Sequence, residues 1–185
     1  MGFNVRKAAQ VVAFFTRERG GSLDVIDAVK LAYLGDRRSM ALYDTPILAD
    51  EFYSMPQGPV GSTTYDLIKG SRTNQQTAIW QRYIKGPKEL KLTLTREFSD
   101  GDFGELSAAD LEILYWVAQK FRKLTLFKLA DYLHDNCPEW TDPHGGSALI
   151  PYRKIFEALG KKNGVELERR IIEFKNLKAA IEEAK

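Results

Sequence analysis

Phe52-Tyr53-Ser54-Met55-Pro56-Gln57-Gly58-Pro59 is the stretch whose reading decides the fold class. Before it, apolar residues recur every three or four positions; across it that period is lost. No helix runs through Pro56 and Pro59, because proline lacks the amide a helix needs and its ring meets the preceding turn. With Thr45-Pro46-Ile47-Leu48 upstream, the stretch predicts two proline-limited turns around a short extended piece. A chain otherwise patterned for helix therefore carries some sheet.

Toward the N-terminus, Val5, Ala8, Ala9, Val12 and Phe15 fall at helical spacing, widened by Val11 and Phe14, until Gly20-Gly21 stops the pattern. Ser22 stands where an N-cap belongs, ahead of a long helix expected from Leu23 to about Tyr43 with Val25, Ile26, Val29, Tyr33 and Met40 inward. Downstream, a helix is expected from about residues 60–63 to Lys69, then a polar loop over residues 70–77. Residues 80–84 and 90–95 are strand candidates. Leu90, Leu92 and Leu94 alternate with Lys91, Thr93 and Thr95, and Gly86-Pro87 supplies a turn, so a small antiparallel hairpin is expected there.

Ser107-Ala108-Ala109-Asp110 reads as a capping box opening a helix whose buried stripe is Leu111, Leu114, Tyr115, Ala118 and Phe121. Thr125 stands as the cap of a second helix through Leu126, Leu129, Ala130 and Leu133, and the pair resembles a helix-turn-helix. Residues 136–150 read as a loop. Two further helices are expected, over residues 151–159 with Pro151 at the first helical position, and from Val165 to about Ala180. The fold class is mainly α with a small antiparallel β element (α+β), a single compact domain with a C-terminal helix.

The 185 residues include 27 Lys and Arg and 25 Asp and Glu, a formal charge of +2 with both signs interspersed. Nucleic-acid binding draws on clustered Lys and Arg, and the densest cations, Lys161, Lys162, Arg169 and Arg170, are diluted by Glu166, Glu168 and Glu173. The second helix of the helix-turn-helix offers Lys128 and no Arg, Asn or Gln to base edges. Cys137 is the only cysteine, so no intrachain disulfide forms. The first residues carry no signal-peptide pattern, and no apolar run reaches the ~20 residues of a membrane span. A cytoplasmic protein that makes no membrane contact is expected.

His134, Asp135, Cys137, Asp142 and His144 are the tightest group of candidate ligands or catalysts. They offer three nitrogen or sulfur donors where structural zinc takes four, and Cys137 sits before a proline in a turn with nothing to depress its pKa. No metal, cofactor or catalytic residue is assigned, and the chain is expected not to be an enzyme. The proline-stiffened turn has another use. Rigidity lowers the cost of presenting large side chains to a protein partner, so Phe52, Tyr53, Met55, Gln57, Gly58 and Pro59 are the candidate partner-binding residues.

Lys30-Leu31-Ala32-Tyr33-Leu34-Gly35-Asp36-Arg37, then Asp50-Glu51-Phe52, then Met55-Pro56-Gln57-Gly58-Pro59-Val60 resembles the signature of the Panacea domain, the SocA-like antitoxin domain. A second block, Leu106-Ser107, Leu129, Leu133-His134 and Pro138-Glu139-Trp140, is similar to that family's later motif. Gly35 stands where the family usually has alanine, and Gln57 where histidine is frequent. The resemblance assigns residues 1–160 to the domain and leaves 161–185 as a C-terminal helical extension. It implies an antitoxin, encoded in bacteria or phage, that neutralises a cognate toxin protein by direct binding. The alternatives are a proteolytic adaptor that delivers the toxin to a protease, and an autoregulator that binds DNA through the helix-turn-helix-like segment, against which the charge balance speaks.

Overall fold

Asn4 starts the first helix by accepting hydrogen bonds on its Oδ1 from the amides of Arg6 (2.9 Å) and Lys7 (3.1 Å), donors that a first helical turn leaves orphaned. The computed structural model describes residues 2–124 and 126–183. Helix α1 (Val5–Glu18) buries Ala8, Ala9, Val12, Ala13 and Phe14 completely, so the wide apolar stripe faces core on most of its circumference.

Strand β1 (Ser22–Asp24) leads directly into α2 (Val25–Tyr43). Ser22 is therefore not the cap expected of it: it pairs with Thr93, and the helix begins three residues later behind Asp24, which makes no side-chain cap bond. Strands β2 (Phe52–Met55) and β3 (Gly58–Gly61) form a hairpin closed by Pro56-Gln57, followed by α3 (Ser62–Lys69). The segment read as a polar loop contains α4 (Asn74–Trp80), which Thr73 caps through the Gln76 amide. Its only buried residue is Trp80, so it has no apolar period to betray it.

The hairpin predicted for this stretch is present as β4 (Ile84–Lys88) and β5 (Lys91–Leu94), with β4 displaced downstream by α4; its turn is Glu89-Leu90, whereas Gly86-Pro87, expected to be the turn, lies within β4. Leu92 is buried, whereas Leu90 lies in the turn at φ 61° and is exposed. After a single 3-10 turn at Asp100–Asp102 come α5 (Ala108–Lys120) and α6 (Leu126–Asn136). The capping box of α5 forms, with the Ser107 amide and hydroxyl both donating to Asp110 Oδ2 at 2.8 Å and the Asp110 amide donating to Ser107 Oγ at 3.1 Å. The expected cap at Thr125 lies outside the described residues. Strand β6 (Ala148–Ile150) occupies the end of the segment read as loop, and α7 (Tyr152–Ala158) and α8 (Gly164–Glu183) complete the chain, with Pro151 at the N-cap of α7.

The described strands form two antiparallel three-stranded sheets, ordered β1-β5-β4 and β3-β2-β6. In the second, Phe52 faces Gly61 on one side and Ile150 on the other. Pro59 is in β3, an edge strand, where a missing amide removes no ladder bond. One apolar core joins α1, α2, α5, both sheets and the start of α8, where Leu167 and Ile171 are buried. Among the described residues no helix is long and apolar enough to cross a membrane.

Candidate functional site

The hairpin β2–β3 is held in place by charged side chains that a sequence reading would send to solvent. Lys30 on α2 has no exposed surface, and its ammonium donates to the backbone oxygen of Gln57 at the hairpin tip. Burial pushes its pKa down to about 8. Gly58 fits this contact twice over. Its φ is +110°, and a Cβ there would stand 2.9 Å from Lys30 Nζ.

Two turns along α2, Arg37 Nε donates to Glu139 Oε1 at 2.6 Å, and Tyr33 donates its hydroxyl hydrogen to the same oxygen. Glu139 is buried, and this fork of donors supplies what a carboxylate needs away from water. The next residue, Trp140, donates from Nε1 to the Met55 carbonyl oxygen at 2.9 Å, and the Thr141 amide donates to Ser54 Oγ at 3.2 Å. His134 stacks on Trp140 with ring centroids 4.1 Å apart, and its Nε2 is buried with no hydrogen-bond partner among the described residues.

Asp50 secures the other end of the hairpin. Its carboxylate accepts from the amides of Thr63 (2.9 Å) and Thr64 (2.8 Å) and from Thr64 Oγ1 (2.7 Å), capping α3 from a distance because the residue at the N-cap, Gly61, has no side chain to do so. The Tyr152 hydroxyl donates to the Asp50 backbone oxygen. Asp36, also buried, accepts from the Leu48 amide at 2.7 Å, and burial pushes its carboxyl up to about 8.

This framework leaves a cleft of about 300 Å³ between the N-terminal half of α2 and the hairpin tip. Val29 and Val60 are its buried apolar lining, Ile26, Met55 and Tyr65 its half-buried walls, and Pro56 and Gln57 its exposed rim. Of the six residues proposed from sequence to touch a partner, Met55 and Gln57 border this cleft with accessible surface. Tyr53 is half-buried beside the exposed Leu149 of β6. Phe52 is 1% exposed, packed edge-to-face between Tyr33 and Tyr152, and Gly58 and Pro59 are buried too. These three shape the hairpin from within. The sequence marks Ile26 only as an inward residue of its helix and does not mark Tyr65; nothing in a single sequence tells a half-buried wall residue from a core one.

The His134 to His144 group does not converge. Cys137 is buried and its thiol is pushed up to about 12 by burial, while the His144 side chain is 91% exposed and approaches Asp142 no closer than 3.9 Å. Among the described residues no three His, Cys, Asp or Glu side chains come together as a metal-ligand set.

No curated protein and no solved structure shows significant similarity to the chain. The family model described as antitoxin SocA-like, Panacea domain, matches residues 29–141. That span runs from the α2 residues that grip the hairpin tip to Thr141, the last residue to clasp it, and covers more than half of the sequence. The chain belongs to the SocA-like antitoxin family and carries its Panacea domain.

Proposed function

We propose that this protein is a cytoplasmic antitoxin that silences a cognate toxin by binding it directly, making and breaking no covalent bond, with the cleft beside the β2–β3 tip as its principal contact. The observation that carries this reading is the cleft itself: open, largely apolar, and framed on the hairpin side by Met55 to Val60, residues that mark the family. Specific complexes concentrate their binding energy in a few large side chains seated in preformed pockets, and specific interfaces bury roughly 1,600 Å² in all. A 300 Å³ cleft suits one such anchor from the toxin. Lys30 on Gln57 and Trp140 on Met55 hold the rim fixed before the partner arrives, which lowers the ordering cost of binding.

Co-expression with the product of the neighbouring reading frame tests this. Met55→Ala and Ile26→Ala should remain folded by circular dichroism yet lose protection, with toxin affinity down at least tenfold for each, while Tyr53→Ala tests whether the contact extends onto the outer face of β2. Full protection by folded Met55→Ala and Ile26→Ala variants would sink the assignment of the cleft.

A further inference from the structure

We propose that a second pocket, between α2, α5 and α6, is a socket for a carboxylate side chain on an acidic segment of the protein partner. The pocket measures about 170 Å³ and is lined by Arg38, Trp116, Lys120 and Tyr132 over a floor that includes Leu34. The Arg38 guanidinium lies 4.2 Å from the centroid of the Trp116 ring, and Lys120 Nζ lies 4.7 Å from the same ring and 5.5 Å from that of Tyr132. Trp116 is 40% exposed, so the indole sits at the surface in reach of both cations.

What singles the pocket out is a charge without its counterpart. Arg37, the preceding residue, is paired with Glu139; Arg17 is paired with Asp100 and Glu18. Among the described residues no carboxylate comes within ion-pair distance of Arg38 or Lys120. Arg38 Nε is buried and has no acceptor. Arg72 Nε is in the same position, but Arg72 already pairs with Asp66. A half-buried guanidinium and an exposed ammonium that share one aromatic face form a site whose missing component is an anion with lone pairs for an N–H donor.

Size and placement select the anion. Pockets for cofactors and drug-sized ligands start at about 300 Å³, and 170 Å³ admits the head of one side chain. Arg38 lies twelve residues beyond Ile26 on the same helix, about 18 Å along its axis at 1.5 Å per residue. Measured along the axis, a partner footprint of roughly 800 Å² is wide enough to reach from one to the other. An apolar anchor in the cleft and an acidic residue in this socket then fix the partner at two places, the second supplying orientation and association rate. The identity of the occupant rests on the reading of this chain as a toxin-binding protein; the socket does not.

The test therefore uses no toxin. The full-length chain, labelled with 15N, is titrated with blocked hexaglutamate at low salt while the three tryptophan indole resonances are followed. The expected result is a saturable shift of the Trp116 indole, with Trp80 and Trp140 unmoved, no response to hexalysine, and at least fivefold weaker binding in Arg38→Met and Lys120→Met variants whose spectra are otherwise unchanged. No shift of Trp116 overturns the proposal, as does a shift equally strong with inorganic phosphate, which would make the pocket a general anion site. Either result leaves the co-expression assay of the cleft unaffected, so the two readings fail separately.

Discussion

Gly61 and Asp50 divide between them a task that one residue usually performs. The start of α3 has a glycine at its cap, and the carboxylate that satisfies Thr63 and Thr64 comes from before β2. A Cβ on Gly61 would stand 2.6 Å from Asp50 Oδ2, with no room for both. Gly61→Ala should therefore behave as the loss of a cap, costing about 1–2 kcal/mol in urea unfolding; a neutral substitution would show that the carboxylate can move aside. Asp36 offers a test in pH. Its folded carboxyl, pushed up to about 8 by burial, keeps a proton that an unfolded aspartate releases near pH 4. Its contribution is whole below about pH 4 and is lost as pH rises toward 8. Asp36→Asn keeps an acceptor for Leu48 and does not titrate, so it should be more stable than the parent at pH 8 by about 1 kcal/mol or more, with the gap shrinking toward pH 4. Urea curves at pH 4, 6 and 8 check this, and a pH-independent gap would contradict it. None of these roles was legible in the sequence. Lys30, Asp36, Asp50 and Glu139 are ionisable residue types, such types read as surface, and only their partners elsewhere in the chain reveal them as interior.

At the scale of elements, legibility followed length and amphipathicity. The stripes of α1, α2 and α5 are long enough to show a 3.6-residue period, and the Pro56–Pro59 break located a turn, though not the pairing of β2 with β3 across it. Strands β1 and β6 have three residues each, too few to display alternation, and β6 exists because β2 offers it an edge. The candidate site was half legible for a related reason: proline and glycine announce a rigid turn, but which side chains of that turn face outward depends on α2 and on the Glu139-Trp140 segment behind it. That segment makes its own prediction. Trp140→Phe keeps the ring against His134 and removes the donor to Met55, so the hairpin loses a partly buried hydrogen bond, a cost of about 1 kcal/mol. Amide exchange should quicken in β2 and stay unchanged in α1. Equal acceleration in α1 would mean that the bond supports the whole fold and not the hairpin alone.

Across the whole molecule the core does not stop at residue 160, the end of the resemblance to the family. Leu167 and Ile171, in the first half of α8, belong to the same buried cluster as α1 and α2, and α8 packs along α7. Beyond Ile171 the character changes. Phe174, Leu177 and Ile181 are each more than half exposed, and the helix's ties to the body include Lys178, which donates to the Gly2 backbone oxygen at 3.4 Å. A helix whose one end is core and whose other end is bare should separate under truncation. Ending the chain after Ile172 removes exposed apolar surface and few buried contacts, so the thermal midpoint should fall by no more than about 4 °C, the equivalent of 1 kcal/mol or so in a domain of this size. Leu167→Asp or Ile171→Asp in the full chain places an unpaired charge in the core and should cost at least about 3 kcal/mol. Melting curves of the three proteins decide the matter. If truncation unfolds the chain as thoroughly as the aspartate variants do, the distal half of α8 is a structural strut. If it does not, three exposed apolar residues on a helix that stability does not require are available for the toxin, and the truncated protein's grip on it, measured by co-purification, becomes the next comparison to make.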